Sequence, residues 1–285
     1  MTLSGVHVPL ITPFDSTGAV AYGVLRDLAH DMLAAGASGL VALGTTAEPA
    51  ALDDAERAGV LDTLTAVCHR RGVPLLVGAN TAAELRALAG HPAVTGALCL
   101  VPPFVRPGED GVVAHFAALA AASPVPLVVY HVPHRTGQDL SAGALRRVAA
   151  LAGVAGVKYA PVAVDADAVD LLADPPPGFA VLAATDTLLS PMLALGAPGA
   201  ILASAHIATA QFVTLADDWR AGRSERTRPL GHRLARLSAA LFAEPNPAVI
   251  KGVLHAQGRI PTAAVRLPLL PAAPASIDAA LRCLP

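Results

Sequence analysis

The chain has 285 residues, of which 54% are hydrophobic, with a formal net charge of −2 and a mean hydropathy of +0.54. This length fits one large α/β barrel or two smaller domains, and the composition can fill a sizeable core. No long apolar run predicts a membrane helix, and the first residues lack the pattern of a secretory signal. The 20 basic residues are scattered, which argues against nucleic-acid binding; we expect a soluble cytoplasmic protein.

Short apolar runs recur along the chain, with helical patterns between them. Eight runs read as strands, at 5–10, 39–43, 74–79, 96–101, 126–130, 154–158, 179–184 and 199–204. Because nearly every position in them is apolar, they fit a parallel sheet that is buried on both faces. Eight strand–helix units predict an α/β fold of the (β/α)8 TIM-barrel type. A doubly wound open sheet is the competing architecture, but no glycine-rich nucleotide-binding fingerprint supports it.

The region after the last strand is helical in pattern, with apolar spacing at 210–222, 232–243, 246–258 and 275–284. We therefore expect one structural domain. Residues 1–205 would hold the core β/α units, and residues 206–285 the last barrel helix and a small C-terminal helical appendage or oligomer contact. Asp53, Asp54 and Glu56 precede a helical segment and predict N-terminal capping.

Lysine is rare in this chain, where only Lys158 and Lys251 are lysines among 20 basic residues. Lys158 ends an apolar strand, where an isolated ammonium is costly unless it is paired or neutral. A neutral lysine attacks carbonyl groups to form imines, and an ion pair with a buried carboxylate is the structural alternative. For Lys251, in the apolar helix 246–258, we expect a side chain that reaches the surface or an interface.

Other polar groups follow the strand ends, where a TIM barrel places its active site. They are the amides and hydroxyls of the GTT run Gly44, Thr45 and Thr46, the phenol of Tyr130, the guanidinium of Arg135 and the carboxylate of Asp186. An amine, a phenol and carboxylate-binding groups suit imine chemistry on a keto acid. Asp186 itself reads as a helix cap or loop brace. His131 and His134 form an HxxH pattern, but Pro133 and the lack of a third ligand argue against a metal.

The motifs PLITPFDSTGAV, GTTAE, YHVPHRTG, GVK, NPAVIKGVL and RLPLLP follow one another along essentially the whole chain. In order and spacing the chain resembles the dihydrodipicolinate synthase / N-acetylneuraminate lyase family of class I aldolases. The resemblance implies a homotetramer built from tight dimers, or a homodimer, with no metal or organic cofactor. Its expected partners are a small-molecule keto acid and an aldehyde, and neither a nucleic acid nor a membrane.

The resemblance also implies roles for single residues. Lys158 matches the Schiff-base lysine, Tyr130 the proton-relaying phenol, and Thr45 a threonine of the relay. The substrate-binding positions are those that surround the keto acid or its partner: Thr46, Gly44, Arg135, Ile201 and Phe104. Arg135 matches the arginine that receives the carboxylate of the second substrate in the synthase branch, and Ile201 lines the pyruvate pocket.

Several residues depart from the family pattern. Pro103 and Phe104 occupy two tyrosine positions, the second of which completes the relay across the dimer interface. His131 and Tyr159 also differ, and strand alternation points Tyr159 away from Lys158. Imine formation survives these changes, whereas dihydrodipicolinate synthesis is in doubt. Cleavage of a 2-keto-3-deoxy acid, a dehydratase that uses the same imine, and a non-catalytic keto-acid-binding protein are the alternatives.

Overall fold

Eight parallel strands form a closed barrel in the computed structural model, which describes residues 3–284. The strands are β1 (Gly5–Pro9), β2 (Gly39–Ala42), β3 (Leu75–Gly78), β4 (Gly96–Leu100), β5 (Leu127–His131), β6 (Val154–Tyr159), β7 (Ala180–Ala183) and β8 (Gly199–Ile201). Each strand pairs with its neighbours in sequence, and β8 pairs with β1 to close the sheet. The predicted TIM barrel is confirmed, with strand ends that differ from the expected ones by up to three residues.

Helices connect the strands on the outside of the barrel. They are α1 (Tyr22–Ala34), α2 (Asp54–Arg71), α3 (Ala82–Ala87), α4 (Gly108–Ala122), α5 (Pro133–Thr136), α6 (Ala142–Ala149), α7 (Ala166–Ala173) and α8 (Leu189–Ala194). Helix α2 begins with the predicted capping, because the Asp53 side chain accepts from the Glu56 amide and the Glu56 carboxylate accepts from the Asp53 amide. Within the described residues, none of the helices combines the length and apolar character needed to cross a lipid bilayer.

Side chains alternate between the two faces of the sheet, which separates the core into two layers. The layer inside the barrel consists of Leu3, Val41, Leu76, Leu98, Val128, Tyr130, Val132, Ala160, Leu182 and Ile201. The larger layer lies between the strands and the surrounding helices. A residue's position in its strand therefore decides whether its side chain lies in the barrel interior or under a helix.

Up to residue 284, where the described part of the chain ends, four helices follow the last strand: α9 (Ala205–Arg220), α10 (Ser224–Leu241), α11 (Ala248–Ala256) and α12 (Pro274–Arg282). Helix α9 packs against β1 and continues the barrel, whereas α11 packs under α12 and adjoins the loop after β2. The expectation that Lys251 reaches the surface is wrong. Its side chain is fully buried, and its Nζ atom lies 2.5 Å from Glu48 Oε1. The C-terminal helices are therefore joined to the loop after β2, at the carboxyl-terminal end of the barrel strands.

Candidate active site

Lys158 and Tyr130 meet inside the barrel at the carboxyl ends of β6 and β5. The two residues are register partners in the sheet. Tyr130 and Ala160 belong to the interior layer. Because Ala160 lies two residues after Lys158 and side chains alternate along a strand, the Lys158 side chain also points into the barrel. The Nζ atom of Lys158 lies 4.0 Å from the centroid of the Tyr130 ring. Only 6% of Lys158 is exposed. The amine and the aromatic ring that the sequence singled out thus lie together at the active-site end of the fold.

The amine of Lys158 has no carboxylate partner in the part of the chain that the structure describes. The ion pairs found within 4.0 Å involve other cations. The structural ion pair that the sequence left open is therefore not observed. A buried amine without such a partner adds no ion pair to the fold and is a candidate nucleophile.

The loop after β2, residues 44–48, is hereafter the threonine loop. Thr45–Ala47 forms one turn of 3-10 helix, flanked by Leu43 at φ 52° and Glu48 at φ 55°. The backbone turn at Leu43 requires a glycine at position 78 in the neighbouring strand β3, because a Cβ atom there would lie 2.1 Å from the Leu43 carbonyl oxygen. Close packing of the loop on a glycine fixes where the threonines stand.

The threonines of this loop have different surroundings. Thr46 is buried, and its hydroxyl accepts a hydrogen bond of 2.9 Å from the Asn246 side-chain amide. Thr45 is exposed, and Gly44 is buried with an extended backbone. One hydroxyl is thus held by the protein, whereas the other is free to meet a ligand.

Arg135 and Asp186 line the same cavity as Tyr130, with a volume of about 180 Å³. Asp186 is buried, and its carboxylate accepts a 2.6 Å hydrogen bond from the Ser204 amide, which ties the loop after β7 to that after β8. The interpretation of Asp186 as a loop brace agrees with this contact. Burial raises the pKa of Asp186 to about 6, although its hydrogen bonds with Ser204 and the charge of Lys158 oppose that shift. Arg135 is exposed on α5 and is one of the residues that line the cavity.

His131 and Tyr159 lie on the opposite face of the sheet from Lys158. They are register partners whose rings stand 5.4 Å apart, and Tyr159 belongs to the layer under the helices. The Nε2 atom of His131 lies 3.2 Å from Asp139, and burial lowers the His131 pKa. Neither ring can therefore replace a phenol inside the barrel. Among residues 3–284 no cluster of three potential metal-binding side chains occurs.

Phe104 and Ile201 differ in burial and in their position relative to the barrel. Ile201 is the last residue of β8 and is buried in the interior layer beside Tyr130. Phe104 follows β4 at φ 71° with 94% of its surface exposed, and it lines a separate cleft with Arg106 and Arg135. Within one chain, the structure therefore brings Ile201 to the interior of the barrel and leaves Phe104 outside it.

The comparisons with known proteins agree with this geometry. A model of the dihydrodipicolinate synthetase family matches residues 2–281. The chain belongs to this family. It is 34% identical over 273 residues to a 4-hydroxy-tetrahydrodipicolinate synthase of Syntrophus aciditrophicus, a match that covers 93% of this chain and 91% of the relative. A synthase of the same name from Neisseria meningitidis serogroup B is 33% identical over 274 residues, with 94% and 93% covered.

Solved structures of the dihydrodipicolinate synthetase family share the whole fold. The enzyme of Thermotoga maritima superposes with a TM-score of 0.94 at 26% identity, over 100% of this chain and 98% of that one. A chloride-inhibited synthase of Acinetobacter baumannii, complexed with pyruvate, gives 0.91 at 30% identity, with 99% and 98% covered. The chain is thus an enzyme, a lyase of this family.

Sequence reasoning missed four residues around the site. Asn246 binds Thr46 of the threonine loop, Lys251 binds Glu48 at the end of that loop, and Phe242 lines the cavity beside Tyr130. A signal existed only for Lys251, as one of two lysines in the chain. Asn246 and Glu48 depend on contacts between segments about 200 residues apart, and Phe242 follows Tyr130 by 112 residues.

Proposed function

We propose that Lys158 forms an imine with pyruvate or a related 2-keto acid, and that the enzyme makes or breaks a C–C bond to an aldehyde. The observation that carries the proposal is the buried Lys158 amine, which lies 4.0 Å from the Tyr130 ring centroid and forms no ion pair within residues 3–284. The amine attacks the keto carbon and water leaves, which gives a protonated imine that accepts electrons from the adjacent bond.

The remaining residues have roles in this proposal that follow from their positions. Thr45, Thr46 and the Gly44 amide receive the keto-acid carboxylate, and Tyr130 relays protons. Ile201 provides the apolar wall beside the methyl group. Arg135 receives a second carboxylate on the aldehyde, a role supported by its place in the lining of the cavity that Tyr130 also lines.

Cleavage of a 2-keto-3-deoxy acid is a second candidate, favoured by Phe104. This residue has no proton to transfer, so the relay that synthesis of 4-hydroxy-tetrahydrodipicolinate uses in the related synthases lacks one phenol. Pyruvate consumption with a panel of aldehydes, and pyruvate release from 2-keto-3-deoxy acids, would separate the two directions. Water loss without pyruvate release would indicate a dehydratase, and turnover of none of these substrates would contradict the proposal.

The exposed loop after β4 supports self-association, as a homodimer or a homotetramer. Phe104 and Val105 are 94% and 75% exposed, an unusual position for two adjacent large apolar side chains. Covering this loop with a second copy would place Phe104 near the partner's site. Light scattering of the purified protein would measure the mass, and a monomer at micromolar concentration would contradict this part of the proposal.

A further inference from the structure

A buried ion pair joins helix α11 to the threonine loop. The Nζ atom of Lys251 lies 2.5 Å from Glu48 Oε1, with 0% and 2% of the two side chains exposed. Lys251 also donates to the carbonyl oxygen of Ala264 at 2.9 Å. The second Glu48 oxygen accepts from the Arg266 amide at 2.7 Å. Both oxygens of Glu48 are thus bound by the C-terminal part of the chain.

An aromatic ring fixes the two cations of this region. The Phe14 ring contacts both, with its centroid 4.1 Å from Lys251 Nζ and 4.3 Å from Arg266 Cζ. The Arg266 guanidinium makes two 2.6 Å hydrogen bonds to the Glu56 carboxylate in α2. The partners of Glu48 are therefore themselves held in place by the segment after β1 and by α2.

Three consecutive residues of the threonine loop are bound from outside it. Asn246, which precedes α11, donates to the Thr46 hydroxyl, and Thr12 donates to the Ala47 carbonyl oxygen at 2.8 Å. Lys251 then binds Glu48, whose left-handed backbone at φ 55° needs a surrounding structure that holds it. Helix α11 thus contacts the loop through Lys251, and the segment that leads into the helix contacts it through Asn246.

We infer that Glu48 and Lys251 are positioning residues for Thr45 and Thr46. They touch no substrate in this scheme, but they fix the end of the loop whose hydroxyls and amides receive the keto-acid carboxylate. A purely stabilising role does not require these charges, because replacing a buried ion pair by well-packed apolar side chains of similar volume is often neutral or stabilising. The inference rests on the proposed function, since it assigns the loop its carboxylate-binding role.

The test separates loop geometry from fold stability. Lys251→Met leaves Glu48 buried without its cation, whereas the double variant Glu48→Gln/Lys251→Met removes both charges and should recover thermal stability. For each protein, the pyruvate concentration that gives half-maximal borohydride trapping on Lys158 is measured, together with the unfolding temperature. We expect the double variant to unfold near the wild-type temperature and to require at least about fivefold more pyruvate. If the double variant does not fold, Glu48→Gln is measured alone, and it should also require at least about fivefold more pyruvate for half-maximal trapping.

Asp218→Asn is the matched control. Asp218 is a buried carboxylate bound to Arg223 in the α9–α10 region, and its loss lowers stability without touching the threonine loop. We expect its half-maximal pyruvate concentration to stay within about twofold of wild type. A double variant with a shift below the threshold, or a control that shifts equally, would overturn the inference while leaving the proposed function intact. Wild-type protein that forms no adduct with any keto acid would overturn both.

Discussion

Lys158 and Tyr130 are register partners in adjacent strands, and the Lys158 Nζ atom lies 4.0 Å from the Tyr130 ring centroid. Strand alternation directs both side chains into the barrel, so their contact follows from the pairing of β5 with β6. Neither depends on a loop for its position. Groups carried by rigid elements keep their mutual geometry during a reaction better than groups on loops.

Replacing Tyr130 by Phe tests the phenol separately from the ring. The variant keeps the packing of a side chain that is 8% exposed, so we expect the free energy of unfolding to change by less than about 1 kcal/mol. Loss of proton transfer should lower kcat by about 10²–10⁴-fold with the productive aldehyde. Steady-state kinetics and denaturant unfolding measure the two effects. An unchanged kcat would remove Tyr130 from the proposed relay.

Replacing Phe104 by Tyr tests whether the missing phenol limits synthesis. Because the ring is 94% exposed in one chain, the added hydroxyl should not change stability. We expect formation of 4-hydroxy-tetrahydrodipicolinate to rise at least about tenfold, measured by a coupled assay. Val105→Tyr, which adds a phenol at the adjacent exposed position, serves as control and should give no gain. No gain in the Phe104 variant either would point to a different substrate.

Replacing Gly78 by Ala tests how the threonine loop is seated. The new methyl group would meet the Leu43 carbonyl oxygen at 2.1 Å, so the loop must shift. We expect a loss of about 1–3 kcal/mol in the free energy of unfolding and a raised KM for the keto acid. Gly90→Ala is the control, since nothing lies within 4 Å of its added carbon. Equal behaviour of the two variants would show that the close approach at Gly78 does not position the loop.

Asp186 should give the protein a pH-dependent stability. Burial raises its pKa from 3.8 to about 6, so the folded state binds an extra proton between these values. Its contribution to stability is fully present below pH 3.8 and is lost as the pH rises through 6. We expect the stability difference between wild type and Asp186→Asn to fall by about 2 kcal/mol from pH 4 to pH 7. Denaturant unfolding at both pH values measures it, and a constant difference would mean that Asp186 ionises normally.

The barrel was predictable from sequence because its strands are buried on both faces and therefore read as uninterrupted apolar runs. The same regularity placed Lys158 and Tyr130 at strand ends, one residue before β6 and β5 end in the structure, and Tyr159 on the other face, where the structure has it. Local capping was equally readable, since Asp53 and Glu56 interact over three residues.

The supports of the threonine loop were not predictable, because they join distant segments. Lys251 lies in an apolar helix, and the sequence pattern of that helix does not predict a contact with Glu48, which lies 203 residues earlier. Isolated from that partner, the lysine resembled a surface residue, and the prediction was wrong. The exposure of Phe104 likewise depends on how the loop after β4 leaves the barrel, which its PPFV sequence does not encode in any periodic pattern.

Covalent trapping tests the central proposal most directly. The protein is incubated with pyruvate and borohydride, and the modified peptide is located by mass spectrometry. An adduct on Lys158 that is absent from Lys158→Ala, with Lys251 unmodified in both, is the result we predict. No adduct with pyruvate or any other 2-keto acid, or an adduct that persists in Lys158→Ala, would contradict the imine chemistry proposed for this enzyme.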